Sequence, residues 1–182
     1  MAFQTTIAAS HFSGIAVSRV AIPATVNEAN LKNCFNLPAN FVAIENIRDI
    51  PAVGATPNIV KVPTYGLAQT LSVGAQGDSP DLEMTINYVR AQWASAGATF
   101  ATTGTLGDAI ADGTPKVFQL AILPGKPASY AATAGGVGTV PNTLFYWVGK
   151  IESISIQPAR DDATTATVAL STSSTFYGPY TV

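Results

Sequence analysis

Charge is scarce in this chain. Only 11% of its 182 residues are Asp, Glu, Lys or Arg, and the formal net charge is −2; soluble domains usually carry about 25% of these residues. The hydrophobic content of 47% excludes a disordered chain, because disorder needs few apolar residues. A pI of ≈ 5.2 disfavours a free nucleic-acid binder, which needs a basic field. Since interface cores are depleted in charge, we expect another subunit to cover part of this neutral surface.

Cysteine and histidine occur once each, as Cys34 and His11. One cysteine excludes an internal disulfide framework and a CxxC metal site, and one histidine excludes a histidine-rich metal cluster. We interpret Cys34 as a small apolar residue and His11 as a surface or interface residue. The first residues lack the cationic region of a secretory signal. The longest charge-free stretch is residues 127–149, and it contains too much Gly, Pro, Ser and Thr to form a membrane-spanning helix. We therefore expect a soluble protein made inside the cell.

Motifs that carry chemistry are also missing. The sequence has no GxSxG elbow and no P-loop. The glycines of residues 135–138 resemble half of a dinucleotide fingerprint, but Pro141 and a predicted strand follow where a helix would be needed. Asp78, Asp81 and Glu83 could form an oxygen-rich calcium corner, yet a turn over residues 78–80 is the simpler interpretation. The sequence thus predicts no enzyme, no cofactor and no metal site.

Apolar residues alternate with a period of two along most of the chain, which is typical of half-buried antiparallel strands. We predict strands over residues 14–22, 41–47, 64–73, 82–89, 116–123, 144–156 and 164–171. Asp161 and Asp162 then form the tip of the hairpin that joins the last two strands. Ile151 and Ile154 are out of phase, which an extra residue near Glu152 and Ser153, a β-bulge, would correct. Partial burial of both faces is the alternative.

One segment has helical periodicity, over residues 105–112. Leu106, Ala109 and Ile110 share one face, Thr103 or Thr105 can cap the start, and Gly113 is a stop signal. The predicted fold is therefore mainly β, an antiparallel β-sandwich or barrel with one short α-helix and long loops. We predict a single domain over residues 1–182, with an N-terminal arm (1–13), an extended loop (125–142) and a C-terminal tail (172–182).

Four segments, read in order, resemble the major tail tube protein of long-tailed bacteriophages. They are VAIENIRDI followed by VKVPTYG (residues 42–66), GDSPDLEMTINY (77–88), LGDAIADGTPKVFQLAIL (106–123), and the closing hairpin with its I-x-x-I-S-I register (144–168). The resemblance implies hexameric rings stacked into a hollow tube that delivers DNA to the host. It also implies a fold similar to the secretion tube protein named for haemolysin co-regulation. The extended loop and the aromatic C-terminus depart from the family pattern.

The same resemblance implies partners and sites. The partners are other copies of the chain, the tape measure protein, the tail-tip or baseplate proteins and the tail terminator protein. The chain would be part of the virion and would be made in the bacterial cytoplasm of the host. DNA would pass through the lumen without specific binding, because a mildly negative wall repels phosphates. The candidate lumen-facing acids are Glu83, Glu152, Asp161 and Asp162. The candidate ring-stacking contacts are Phe3, Phe12, Ile50, Val53 and Ile59.

A second hypothesis is a β-sandwich that serves as a binding, adhesive or virion decoration module. Such a module would expose aromatic side chains to a ligand, and the candidates are Tyr130, Tyr146, Trp147, Phe176, Tyr177 and Tyr180. Packing in the core or in an interface is the simpler interpretation of these residues. A binder should stay a monomer or small oligomer, whereas a tube subunit should form six-fold rings.

Overall fold

A computed structural model describes residues 13–54, 59–62, 71–74, 81–122 and 143–181, with the backbone alone for 59–62, 71–74 and 181. The strands are β1 (Gly14–Ser18), β2 (Phe41–Ile44), β3 (Ile47–Asp49), β4 (Ile59–Val62), β5 (Leu71–Gly74), β6 (Leu82–Asn87), β7 (Lys116–Ile122), β8 (Thr143–Gln157), β9 (Thr165–Thr172) and β10 (Tyr177–Thr181). The α-helices are α1 (Glu28–Asn33), α2 (Arg90–Trp93) and α3 (Leu106–Asp112). The predicted extended loop and nearly all of the predicted N-terminal arm lie outside the described residues.

One antiparallel sheet of eight strands dominates the structure. Seven strands follow the order β2-β1-β7-β8-β9-β6-β3, and β10 pairs with β8 off this path. Strands β4 and β5 form a separate two-stranded sheet. The prediction of a mainly β, antiparallel fold is confirmed.

The sheet is strongly curled but not closed by hydrogen bonds. Its two end strands, β2 and β3, are separated by five strands in the sheet and by only Glu45 and Asn46 in the chain. In a flat sheet these ends would lie about 29 Å apart, whereas Ile44 and Ile47 can be at most about 11 Å apart along the chain. The sheet therefore bends back on itself. The barrel alternative is not confirmed, because β2 and β3 do not pair.

Strand β8 is the longest element, with 15 residues. Strand β7 pairs with its first half, from Thr143 to Gly149, and β9 pairs with its second half, from Gly149 to Gln157. Strand β10 continues along the β9 side and pairs with the start of β8. The β8–β9 register shifts between Ile151 and Ser153, so the predicted bulge is confirmed, with Glu152 as the extra residue.

Two apolar clusters lie on opposite faces of the sheet. The first fills the inside of the curl with side chains from β1, β2, β6, β7, β8 and β9 and from α2 and α3. The second covers the outer face of β1, β2, β7 and the start of β8, and Leu31, Cys34 and Phe35 from the α1 region complete it. Strands β1 and β7 are consequently buried on both faces. Cys34 is buried, which agrees with its interpretation as a small apolar residue, and burial raises the pKa of its thiol.

Helix α3 confirms the predicted helix and its ends. Thr105 is the N-cap and forms a capping box with Asp108, and Gly113 ends the helix in the left-handed region at φ 65. The expectation of a single helix was wrong, because α1 and α2 are also helical. Both are too short to show a periodic stripe, since each buries one side chain, Leu31 in α1 and Trp93 in α2.

Asp108 joins α3 to the loop that follows α2. Its Oδ1 accepts hydrogen bonds from Ser95 Oγ (2.6 Å), Ala96 N (3.0 Å) and Gly97 N (3.1 Å), while Oδ2 accepts from Thr105 N (2.8 Å). These donors, the Ser95 hydroxyl foremost, lower the pKa of Asp108 to about 2. The carboxylate therefore stays charged and holds the loop at neutral pH.

The strand predictions differ from the structure at four places. The predicted strand 41–47 splits into β2 and β3 at Asn46, which has a positive φ of 59. The predicted strand 14–22 ends at Ser18, and β4 and β10 were not predicted. Only residues 71–73 of the predicted strand 64–73 are described, as part of β5.

Candidate functional site

The outer face of β6, β9 and the second half of β8 is a regular grid of polar side chains. Strand register aligns three rows across these strands: Glu83–Ala169–Ser153, Thr85–Thr167–Ser155 and Asn87–Thr165–Gln157. The opposite face of the same strands carries core residues of the first cluster, such as Met84 and Val168. We call the nine outward residues the polar face. Unlike the outer face of β1 and β7, it is not covered by a helix among the described residues.

The polar face is almost free of unbalanced charge. Glu83 forms no ion pair with any described residue, and its side chain is exposed. Glu152, in the bulge beside the first row, accepts a hydrogen bond from Ser171 Oγ at 2.7 Å and pairs with Lys150 Nζ at 2.9 Å. The Ser171 hydrogen bond and the Lys150 ammonium lower the pKa of Glu152 below its ordinary value. Glu83 is therefore the one charged residue among the nine of the polar face, and the exposed Asp49 of β3 lies opposite Thr85 at its edge.

The other two candidate acids lie at the tip of the β8–β9 hairpin, which confirms the predicted turn. Asp162 Oδ2 lies 3.6 Å from Arg48 Nη1, and its Oδ1 accepts from the Ala163 N–H. Asp161 is exposed beside it. The structure thus separates the four predicted lumen acids into Glu83 and Glu152 at the polar face and Asp161 and Asp162 at the hairpin tip. Their position relative to a lumen stays a prediction.

Two of the predicted stacking residues share a cleft of about 600 Å³, whose lining also includes the charged residues Arg48 and Asp49. Ile50 and Val53 line it and also pack against the first core cluster. Leu120, Ile122 and Phe145 form another part of its wall, and Ser13 lies at its margin. Ile59 is described as backbone in β4, and Phe3 and Phe12 lie outside the described residues. The prediction that these residues contact another ring remains untested.

Comparison with solved structures finds this architecture in phage-related assemblies. A chain from the baseplate of the anti-feeding prophage aligns with 96% of this chain and 98% of its own length, with a TM-score of 0.55 and 11% identity. The SPP1 tail tube protein aligns over 94% of this chain and 80% of its own length, with a TM-score of 0.53 and 11% identity. The chain has a tail-tube-like fold. No family profile and no curated protein sequence matches it.

Within this tail-tube-like fold, the aromatic residues of the binding-module hypothesis are packing residues. Tyr146 and Trp147 are fully buried, and Phe176, Tyr177 and Tyr180 are half-buried against the clusters. Trp147 stacks on Phe118 with ring centroids 5.4 Å apart. Tyr130 lies outside the described residues. This packing disfavours an aromatic ligand-binding surface in the described part of the chain.

Sequence reasoning identified Glu83 and Glu152 but missed the hydroxyl-bearing rows of the tail-tube-like sheet. Their signal was present, because Thr or Ser occupies three of the four alternating positions in TATVALS and two of the three in SISIQ, where Ala169 and Gln157 are the exceptions. The alternation shows that one side of a strand is polar, yet whether a helix covers that side depends on the tertiary fold. The described residues contain no cluster of three or more His, Cys, Asp or Glu placed to hold a metal. Among the same residues, no helix is long and apolar enough to cross a membrane.

Proposed function

We propose that this chain is a structural subunit of a phage tail tube, which assembles as hexameric rings stacked into a hollow tube that delivers DNA to the host. The nearly full-length fold similarity to the SPP1 tail tube protein carries this proposal. The similarity to an anti-feeding prophage baseplate chain supports the same class of assembly. The chain would then be a virion protein made in the bacterial cytoplasm, with a structural and not an enzymatic role and with no cofactor.

The polar face suits the wall of a DNA channel. The hydroxyl side chains of this face are exposed or half-buried, and two described cations near it, Lys150 and Arg48, are paired with Glu152 and Asp162. Tight nonspecific DNA binding requires Lys or Arg to displace counterions from phosphates. A channel wall whose net negative charge comes from Glu83 would repel the DNA backbone weakly. Six copies of the residue in a ring would increase this repulsion. We assign Glu83 and Glu152 to the lumen on this ground.

Other copies of the chain would be the main partner. Rings arise when a head-to-tail interface closes on itself, and stacked rings form a filament. The tape measure protein would occupy the lumen before ejection, and tail-tip or baseplate and tail terminator proteins would bind the two ends of the tube. The low charge of the chain fits this role, because surface that is buried in subunit contacts has little need of charge.

Negative-stain electron microscopy of the purified chain over a concentration series tests the proposal. We expect hollow six-fold rings or tubes with a stain-filled channel to appear as the concentration rises. Light scattering on the same samples gives the mass of the assembled species. A uniform monomer at every concentration, also after addition of preformed tail-tip complexes as initiators, would refute the proposal.

Removal of residues 1–13 separates ring stacking from folding. Ser13 lines the same cleft as Ile50 and Val53, so the deletion removes one residue of its wall. We expect the truncated chain to fold, because the chain's described apolar clusters lie within residues 15–180, and to form isolated rings in place of tubes. Tubes of normal length would contradict the assignment of the arm and the cleft to stacking.

A further inference from the structure

Strands β7 and β8 pair along a stretch that is apolar on both faces of the sheet. Their inward side chains, such as Phe118 and Trp147, belong to the first cluster, and outward ones, such as Val117 and Leu144, belong to the second. In β6 and β9, by contrast, buried apolar side chains alternate with mostly polar ones. Such an alternation fixes a register, because a slip by one residue would bury the polar side. The β7–β8 pair lacks this pattern.

The chain connection between β7 and β8 does not fix their register either. The last registered pair is Ile122 and Thr143, and residues 123–142 lie between them in the sequence. A two-residue hairpin turn sets the register through its own geometry, whereas a connection of this length leaves several pairings open. Strand β1, on the other side of β7, is also buried on both faces and does not supply the missing pattern. Side chains within β7 and β8 must therefore specify how they pair.

One polar pair interrupts the apolar side chains of these two strands. Gln119 of β7 and Tyr146 of β8 lie directly opposite each other in the sheet, and both side chains are fully buried. Gln119 Nε2 donates a hydrogen bond to Tyr146 Oη at 2.9 Å. Because a buried amide or hydroxyl without a partner costs free energy, the two groups depend on each other.

A slip of β7 by one residue would separate Gln119 from Tyr146. Successive side chains of a strand point to opposite faces, so Gln119 would turn into the first cluster while Tyr146 stayed in the second. None of the described buried members of the first cluster carries a side-chain oxygen, so the amide nitrogen would have no side-chain acceptor there. The penalty for one buried group without its partner corresponds to about a 5- to 150-fold preference for the native register.

The face that β7 turns outward also decides how the second cluster packs. Phe35, which follows α1, and Tyr180 of β10 place their ring centroids 5.7 and 6.0 Å from that of Tyr146. The residue opposite Gln119 is thus also the one on which the α1 region and β10 pack. With its other face outward, β7 would bring the larger Phe118 and Leu120 under this cover.

We propose that the Gln119–Tyr146 hydrogen bond determines the register of β7 against β8 and selects the face of β7 that turns outward. Replacing both partners of a buried hydrogen bond by apolar groups of the same shape is often neutral for stability. A buried polar group can nevertheless decide between alternative pairings, as one buried polar residue does in coiled coils. This role does not depend on the proposed function, because it concerns the fold of one subunit.

A double variant without either polar group tests this role. Gln119→Leu combined with Tyr146→Phe keeps side chains of similar size and lacks the amide and the hydroxyl. We expect its urea midpoint to equal or exceed that of the unsubstituted chain, whereas each single variant should have a lower midpoint because one polar group stays buried without its partner. The amide spectrum of the double variant should contain a second set of β7 signals with at least about a tenth of the total intensity.

Contacts between the strands identify the second set of signals. In the native register Phe118 lies opposite Trp147, so nuclear Overhauser effects should join their backbone protons. In the second set, Phe118 should be joined to residue 146 or to Val148. Thr85→Val combined with Thr167→Val is the matched control, because it removes two hydroxyls from a directly opposite pair of β6 and β9. The control should keep one set of signals, since the other polar residues still fix that register.

Three results would overturn the proposed role of the pair. A single set of signals with the native Phe118–Trp147 contact in the double variant would show that apolar packing alone specifies the register. A double variant less stable than both single variants, or one that does not fold, would show that the pair supplies stability and not specificity. A second set of signals in the Thr85/Thr167 control as well would show that the effect is not specific to Gln119 and Tyr146.

Discussion

The sheet has two halves that differ in how they are covered. In one half, β1, β2, β7 and the start of β8 carry apolar clusters on both faces, and residues of the α1 region and two tyrosines of β10 complete the outer one. In the other half, β6, β9 and the end of β8 have a core on the inner face and the polar face outside. Aromatic rings are concentrated in the covered half, and hydroxyl groups in the bare half. The covered half thus has apolar packing on both faces of the sheet, whereas the bare half has it on one.

The largest contrast between the halves should be in stability. Trp147→Ala removes a fully buried ring that stacks on Phe118 in the covered half, and we expect it to lower the free energy of unfolding by about 3–5 kcal/mol. Thr167→Ala, on the exposed polar face, should change it by about 0.5 kcal/mol at most. Urea denaturation of both variants measures the difference. Similar losses would show that the two halves contribute equally to the fold.

A second prediction concerns Gly149, where the two halves meet. A Cβ at this position would lie 2.3 Å from the Ser171 carbonyl oxygen, so Gly149→Ala must push β8 and β9 apart. We expect a loss of about 1–3 kcal/mol, typical of overpacking. Gly54→Ala is the control, because no atom lies within 4 Å of its added Cβ. If Gly149→Ala leaves the free energy of unfolding unchanged, the junction is looser than its backbone spacing indicates.

The third prediction uses the titration of Tyr146 in the covered half. Burial raises the pKa of Tyr146 to about 12, from an ordinary value of 10.0. The folded state holds this proton more tightly than the unfolded state does. The stabilisation by the protonated Tyr146 hydroxyl is therefore complete below pH 10 and is lost as the pH rises to 12. The difference in unfolding free energy between the unsubstituted chain and Tyr146→Phe should therefore shrink over this range. At pH 7 the variant should be less stable by about 1 kcal/mol, because Gln119 Nε2 loses the hydroxyl that it contacts at 2.9 Å.

The smallest effect on stability is expected at Glu83 in the bare half. Glu83→Lys should leave the unfolding free energy within about 0.5 kcal/mol, as at other surface sites. If the polar face lines a channel, this variant should retain DNA in assembled tubes, and the retention should fall as salt rises. Glu45→Lys makes the same charge change at an exposed residue between β2 and β3. DNA retention that is equal in both variants would count against the lumen assignment of Glu83.

Features encoded in a few neighbouring residues could be predicted from the sequence. The helical spacing of Leu106, Ala109 and Ile110 and the stop at Gly113 located α3, and the phase break between Ile151 and Ile154 located the bulge. Each signal depends on local geometry, which neighbouring residues set by themselves. The alternation in β6 and β9 likewise identified strands with one polar side.

Features that depend on distant contacts could not be predicted. Strand β10 contains Gly178 and Pro179, which argue against a strand, yet Tyr177 and Tyr180 pack on the second cluster and hold it beside β8. The corner at Asn46 interrupts an alternation that continues without a break in the sequence. The location of the polar face depends on which half α1 covers, and its one buried side chain, Leu31, leaves no periodic signal.

The topology of the sheet has a consequence for how the protein is made. Ile15 in β1 pairs with Leu120 in β7, 105 positions later in the chain. At about 5–20 residues per second, a ribosome needs roughly 5–20 s to synthesise that interval. During this time β1 can pair only with β2, and the side chains of both its faces await partners that do not yet exist. Strand β1 therefore waits for its second neighbour until β7 has been made, and the nascent chain passes through a stage in which the apolar side chains of β1 are incompletely covered.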